Sequence, residues 1–219
     1  MIDYLNALVT SVSPRYFLYL ILLAFCSLVG LLKWGNIQKD FRPLVFYVSI
    51  ILISEITGKY LAFTQNNSMV VYHFLVPIQM LFYGLMYWSF VENKIRPLVC
   101  ILTFIALFTS IFLTLNYIGL NSFPNLQITM LTLQVVPLVL FSFKHLLAKI
   151  QTVGLHNNPL FWFNVGNLIF FSVTFFVFGF YNTPYFIPEW AYVIIWVSNM
   201  LLYGCYLACL FLTKLKPNV

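Results

Sequence analysis

The run Leu44-Val-Phe-Tyr-Val-Ser-Ile-Ile-Leu-Ile-Ser-Glu55-Ile-Thr-Gly-Lys59-Tyr-Leu-Ala-Phe63 decides the fold. About 20 apolar residues are what an α-helix needs to cross the hydrocarbon core of a bilayer, and this run meets that length. Two ionisable side chains interrupt it, Glu55 and Lys59. In hydrocarbon each costs roughly 2.5–3.5 kcal/mol on insertion scales. They stand four residues apart with the acid on the N-terminal side, which puts both on one helix face in the better order for a pair. That face is expected to turn toward a helix bundle or a wet cavity, away from lipid. A buried pair that only fixes helix packing is the plainer alternative.

The rest of the chain repeats the pattern. Of 219 residues, 62% are hydrophobic and 7% are charged. Soluble domains carry about 25% charged residues, so a soluble fold is excluded. Seven apolar stretches can be read, about 16–34, 43–64, 69–91, 97–118, 125–147, 160–181 and 190–213. The connections are short, and the alternating polarity of an outer-membrane barrel is absent. The expectation is an all-α membrane protein, with residues 1–219 forming a single seven-helix transmembrane domain. Met1-Ile2-Asp3-Tyr4 lacks the basic start of a signal peptide, so the first span is expected to be retained. Cys26, Cys100, Cys205 and Cys209 all fall inside spans and read as small apolar packers. No metal-ligand spacing and no cofactor motif appears.

The net charge of +6 is distributed in one way only. Nine of the eleven basic residues (Lys33, Lys39, Arg42, Lys94, Arg96, Lys144, Lys149, Lys214 and Lys216) lie on alternate connections or after the last span. The opposite connections, 64–69, 118–125 and 181–190, carry none. The positive-inside rule then places the N-terminus outside and the C-terminus in the cytoplasm, the orientation expected of an integral inner (cytoplasmic) membrane protein. The charge is accounted for by the bilayer, with no nucleic-acid partner implied. A homo-oligomer or a cytoplasmic protein partner stays open.

Polar residues within the other spans name a candidate ligand site beside Glu55 and Lys59. The third span carries Tyr72, Gln79 and Tyr83 around Pro77, which is expected to kink it. The sixth places Asn164 and Asn167 three apart on one face, with Gly166 and Gly179 as small contact residues. The seventh presents Tyr192, Trp196, Asn199, Tyr203 and Tyr206 as one stripe. The ligand-binding set read from this is Glu55, Lys59, Tyr72, Gln79, Tyr83, Asn164, Asn167, Asn199 and Tyr203. The first span is expected to carry no chemistry. Thr103, Thr109, Ser110 and Thr114 of the fourth are expected to bond back to their own helix. His73 reads as a wet residue at the outer end, His145 as interfacial, and Gly58 as a point of close helix approach.

An internal repeat is visible at an offset of 120 residues. Gln79-Met-Leu-Phe-Tyr-Gly84 lies over Asn199-Met-Leu-Leu-Tyr-Gly204, with Tyr72 over Tyr192. Two parallel halves, 16–91 and 125–213, would be joined by a linker helix, 97–118, in a 3+1+3 order. Glu55-Ile-Thr-Gly-Lys-Tyr60 and Phe161-Trp-Phe-Asn-Val-Gly-Asn-Leu-Ile-Phe-Phe-Ser172 resemble a family of short, uncharacterised bacterial seven-helix membrane proteins. That resemblance covers the second, third, sixth and seventh spans and implies no activity. The 3+1+3 order is also similar to that of the Pro-Gln-loop type of sugar and amino-acid carriers. The chain departs from their motif, because Pro77 is followed by Ile78 before Gln79.

Three functions follow as expectations. The first is binding and carriage of a small polar or zwitterionic solute through a midplane cavity. The second is a sensor that signals to a separate cytoplasmic partner. The third, an intramembrane lipid enzyme, lacks any paired-carboxylate, His-cluster or Ser/His/Asp set, so no catalytic residue is assigned.

Overall fold

The structure, a computed structural model, describes residues 13–65, 67–149, 154–180 and 187–213. Asp3, Asn66, Gln151, the stretch 182–186, Lys214, Lys216 and the side chain of Lys149 lie outside the described residues. Seven helices are long and apolar enough to cross a membrane, and no strand occurs among the described residues. They are α1 (Pro14–Leu32), α2 (Arg42–Gln65), α3 (Met69–Phe90), α4 (Arg96–Leu113), α5 (Asn125–Lys149), α6 (Pro159–Gly179) and α7 (Pro188–Leu212). A π-helical turn, Thr114–Ile118, extends α4 and stops at Gly119, whose φ of 69° suits a residue without Cβ.

Local sequence sets the helix starts. Ser13 accepts the Tyr16 amide at 3.3 Å and Pro14 occupies the first turn of α1. Asn158 and Pro159 do the same for α6, with the Leu160 amide 2.9 Å from Asn158 Oδ1. Pro77 and Pro137 lie inside continuous helices, α3 and α5.

Six helices close a ring in the order α1, α2, α3, α5, α6, α7, with α7 packed back on α1. The fourth helix stands outside this ring, against α3 and α5. Its outer face is a row of Phe104, Phe108 and Phe112, all exposed on the bundle surface where lipid would lie. Small residues let neighbours approach. A Cβ on Gly30 would lie 2.8 Å from Val45, and one on Gly166 would lie 2.8 Å from Cys205 Cβ. Gly84 is likewise pressed against Thr103. Gly58 makes no such close approach, since a Cβ there would meet Tyr72 only at 3.9 Å, and Gly179 has nothing within 4 Å. Cys26 and Cys209 are buried packers, whereas Cys100 is exposed on the bundle surface.

Thr114 bonds back to its own helix at the Ser110 carbonyl (3.1 Å), as expected, but polar groups on the outer helix also reach across to its neighbours. Gln134 donates to Thr103 Oγ1 at 2.9 Å, and Gln127 donates to the Ser110 carbonyl at 3.1 Å and to Thr114. Thr114 also bonds His73 Nδ1 at 3.4 Å. His73 is buried, with Nε2 2.9 Å from the Ser122 carbonyl, so it is a structural clasp instead of a wet residue. The α4–α5 connection folds beneath it, and a linear reading of the third span could not anticipate that.

Basic side chains gather at one end of the bundle and sit on aromatic rings. Lys33 lies 4.2 Å from the Phe211 ring centroid, Arg42 5.4 Å from Trp34 and Arg96 5.5 Å from Trp88. Such cation–aromatic belts suit the boundary between lipid and water. At the same end Glu92 bonds Lys94 at 2.7 Å and His145 at 3.3 Å, tying the α3–α4 turn to α5. His145 is therefore paired, where the sequence suggested a plain interfacial residue. The Lys94 ammonium, with His145, holds the Glu92 carboxyl below the usual carboxylate range. A depressed folded-state pKa adds stability above the unfolded value, and that stability disappears as pH falls through the folded one. Wild type should therefore lose thermal stability slightly more than Glu92→Gln when melts in detergent are moved from pH 7 to pH 3.5. Because the site is exposed, the difference should be small.

Candidate functional site

Glu55 lies thirteen residues into α2, about 20 Å from the basic end at 1.5 Å per residue. Its side chain turns into the ring, toward α1. Tyr16 donates to Glu55 Oε2 at 3.0 Å and to the Glu55 carbonyl at 3.2 Å, and Tyr19 donates to Oε1 at 3.2 Å. These two tyrosines stand three apart on α1, hence on one face, and the cap at Ser13 sets their height. The first helix thus supplies the acid's partners, which corrects its reading as a helix without chemistry. The three-residue Tyr spacing was the available signal.

The acid and base do not pair: no Lys59–Glu55 contact within 4.0 Å occurs among the described residues. Tyr16 serves both, offering its hydroxyl to Glu55 and its ring to the Lys59 ammonium, 5.7 Å from the centroid. Two tyrosine hydroxyls give the carboxylate directed, short-range donors in a neighbouring helix. A flexible lysine one turn away can instead snorkel toward the bundle end.

A cavity of about 380 Å³ fills the ring beside Glu55. It extends from Tyr47 and Gln79 upward past Tyr72, Asn199 and Tyr203 to Tyr192 and Phe178, near the end opposite the basic residues. Five of the candidate residues line it: Glu55, Tyr72, Gln79, Asn199 and Tyr203. Lys59, Tyr83, Asn164 and Asn167 do not. The seventh-helix stripe is split. Tyr203 and Tyr206 are buried, Asn199 bonds its own helix at the Ile195 carbonyl (3.0 Å), and Trp196 donates to the Arg15 carbonyl at 2.7 Å, pinning α7 to the start of α1.

No family model, curated protein or solved structure matches the chain. The site is therefore read from its own residues.

Below the cavity the remaining candidates form a different object. Gln79 Nε2 donates to Tyr47 at 3.2 Å, Tyr47 and Tyr83 are 3.1 Å apart, and Tyr83 and Tyr206 are 2.9 Å apart. Tyr206 then donates to Asn167 Oδ1 at 2.6 Å, and Asn167 Nδ2 donates to Tyr87 at 3.2 Å. Each phenol has one proton. Since Tyr206 spends its proton on Asn167, Tyr83 must donate to Tyr206, and Tyr47 must donate to Tyr83. The chain runs one way, from the cavity floor toward the basic end. Phe163 stacks on Tyr206 with centroids 5.5 Å apart, and Phe171 meets Tyr83 edge-on at 5.1 Å. Together they seal the ring. One turn further, Asn164 donates to Ser142 at 2.9 Å while its Oδ1 is buried without a partner.

Tyr206→Phe should be costly here. It would orphan Asn167 Oδ1 and the Tyr83 proton in a dry layer, at about 1–3 kcal/mol. Thermal unfolding in detergent should shift down accordingly. An unchanged midpoint would mean that the chain contributes no stability.

Proposed function

We propose that the protein binds a small polar solute in the central cavity and carries it across the bilayer. The observation that carries this reading is a largely apolar, aromatic-walled chamber that reaches an intramembrane carboxylate, Glu55, carries the amides of Gln79 and Asn199 on its wall, and ends on a hydrogen-bonded tyrosine layer. Ionisable residues inside membrane spans are functional candidates by default, and the cavity gives this one a reason to be there. The basic belt supports an orientation with the N-terminus outside, so the chamber would face outward and the tyrosine layer would close the cytoplasmic side.

The ring geometry supports the 3+1+3 repeat as well. The fourth helix lies outside a six-helix ring, as a linker would. Gln79 and Asn199, the matched amides of the two halves, both line the cavity. Parallel-repeat transporters place their sites between such halves near the midplane. Lys59 lies outside the lining, so the charge recognition proposed rests on Glu55 alone.

The test is solute uptake by purified protein reconstituted in vesicles. Ile128, a half-buried lining residue, becomes Trp to fill the chamber. Uptake of the carried solute should fall at least tenfold in Ile128→Trp. If no class of solute is bound or carried by wild type, the proposal fails. Sensing is the second reading, favoured by the layer of buried, hydrogen-bonded tyrosines at the chamber floor. Specific binding without uptake, together with copurification of a cytoplasmic regulator, would support it.

A further inference from the structure

The chemistry of the chamber wall narrows what it can hold. Twenty of the described residues line it; among them Glu55 is the one that bears a formal charge, and nine are aromatic. Among the described residues, no Lys, Arg or His borders it. A solute carrying a carboxylate would meet no cation and would add a second negative charge beside the first, in a setting where unpaired charge is costly. A neutral polyol would find few partners, because Gln79 is already engaged with Tyr47 and Asn199 with its own helix.

A small organic cation fits on both counts. Glu55 receives the Tyr16 and Tyr19 hydroxyls at 3.0 and 3.2 Å and is also reached by the Tyr72 hydroxyl, three donors on a carboxylate that has about four acceptor sites. Acceptor capacity therefore remains for an ammonium. Around it, Tyr19, Tyr72 and Tyr203 supply aromatic surface, with the Tyr19 and Tyr203 rings 5.7 Å apart at centroids. Carboxylate plus aromatic wall is the chemistry that recognises amines and quaternary ammonium groups. A bare metal ion fits poorly, since no group of three or more His, Cys, Asp or Glu occurs among the described residues. A proton alone would not need about 380 Å³ of aromatic chamber.

We propose that the cavity is a binding site for a small organic cation, an amine or quaternary ammonium, held by the Glu55 carboxylate among tyrosine rings. The proposal rests on the reading of this cavity as a ligand site.

Calorimetric titration of the purified full chain in lipid nanodiscs tests it with three near-isosteric probes. Choline carries a positive charge, 3,3-dimethyl-1-butanol is its neutral carbon analogue, and glycine betaine adds a carboxylate. Choline should bind at least tenfold more tightly than either of the others. Glu55→Gln should remove that preference. Equal or tighter binding of betaine or of the neutral analogue would overturn the cation class and leave the ligand cavity standing. Absence of binding by all three, in protein that melts cooperatively, would overturn both. Because the probe comparison is made on wild type, it does not depend on the variant folding.

Discussion

Glu55→Gln will weaken solute binding by about 10- to 100-fold while leaving the bundle folded. The carboxylate is the one formal charge among the described residues of the chamber wall, and hydrogen bonds to a charged group contribute roughly 1.5–3 kcal/mol. Glutamine keeps the volume and one acceptor oxygen, so one of Tyr16 and Tyr19 keeps its bond. The other tyrosine must turn to accept from the new NH₂ group. Removing a charge from the membrane interior offsets that local loss. Affinity should therefore drop steeply and the melting midpoint should move little. The reverse outcome, a lower midpoint with affinity unchanged, would make Glu55 a packing residue and return it to the plainer alternative weighed from the sequence.

The largest stability effect is expected at Gly166. A Cβ there would sit 2.8 Å from Cys205 Cβ and 3.4 Å from the Leu202 carbonyl, in the contact between α6 and α7. Neither obstacle is the end of a flexible chain, so the helices must part. Overpacking of this kind costs about 1–3 kcal/mol. One residue on, Asn167 accepts the short Tyr206 bond, and parting the helices would loosen it as well. Gly166→Ala should lower the melting midpoint in detergent and Gly166→Val should lower it further. Cys205→Gly, which removes the opposing Cβ, should restore part of the loss in the Ala background. Gly179→Ala, with open space around it, should have no comparable effect. Equal effects at both glycines would show that helix propensity and not crowding is responsible.

The fold was written plainly in the chain. Each of the seven apolar runs became a helix whose ends, with the π-helical turn counted as part of α4, lie within about two residues of the sequence reading, because hydrocarbon thickness sets span length and charges mark the ends. The site was legible in part. Sequence position along a span gives depth but not direction around the ring. Gln79, Tyr83, Asn167 and Asn199 stand at similar depths, yet Gln79 and Asn199 face the chamber while Tyr83 and Asn167 lie in the sealed layer. Lys59 was assigned to Glu55 by spacing within one helix. That rule holds for an isolated helix and yields when a neighbour such as α1 brings stronger partners. Tyr16 and Tyr19 precede Glu55 by 39 and 36 residues, and only the packing of α1 on α2 brings them to it.

The tyrosine layer has one further consequence. Its donors are ordered by the two amides at its ends, and a phenol cannot reverse alone without leaving two oxygens facing each other with no hydrogen between. If the Asn167 amide were to rotate by half a turn, presenting its nitrogen to Tyr206, the Tyr206 proton would lose its acceptor, and it would be bonded again within the layer only if the hydroxyls of Tyr206, Tyr83 and Tyr47 all swung over and Gln79 offered its oxygen at the chamber floor. Keeping every proton bonded thus ties three rings and two amides into one arrangement, from Gln79 at the chamber floor to Asn167 on the far side.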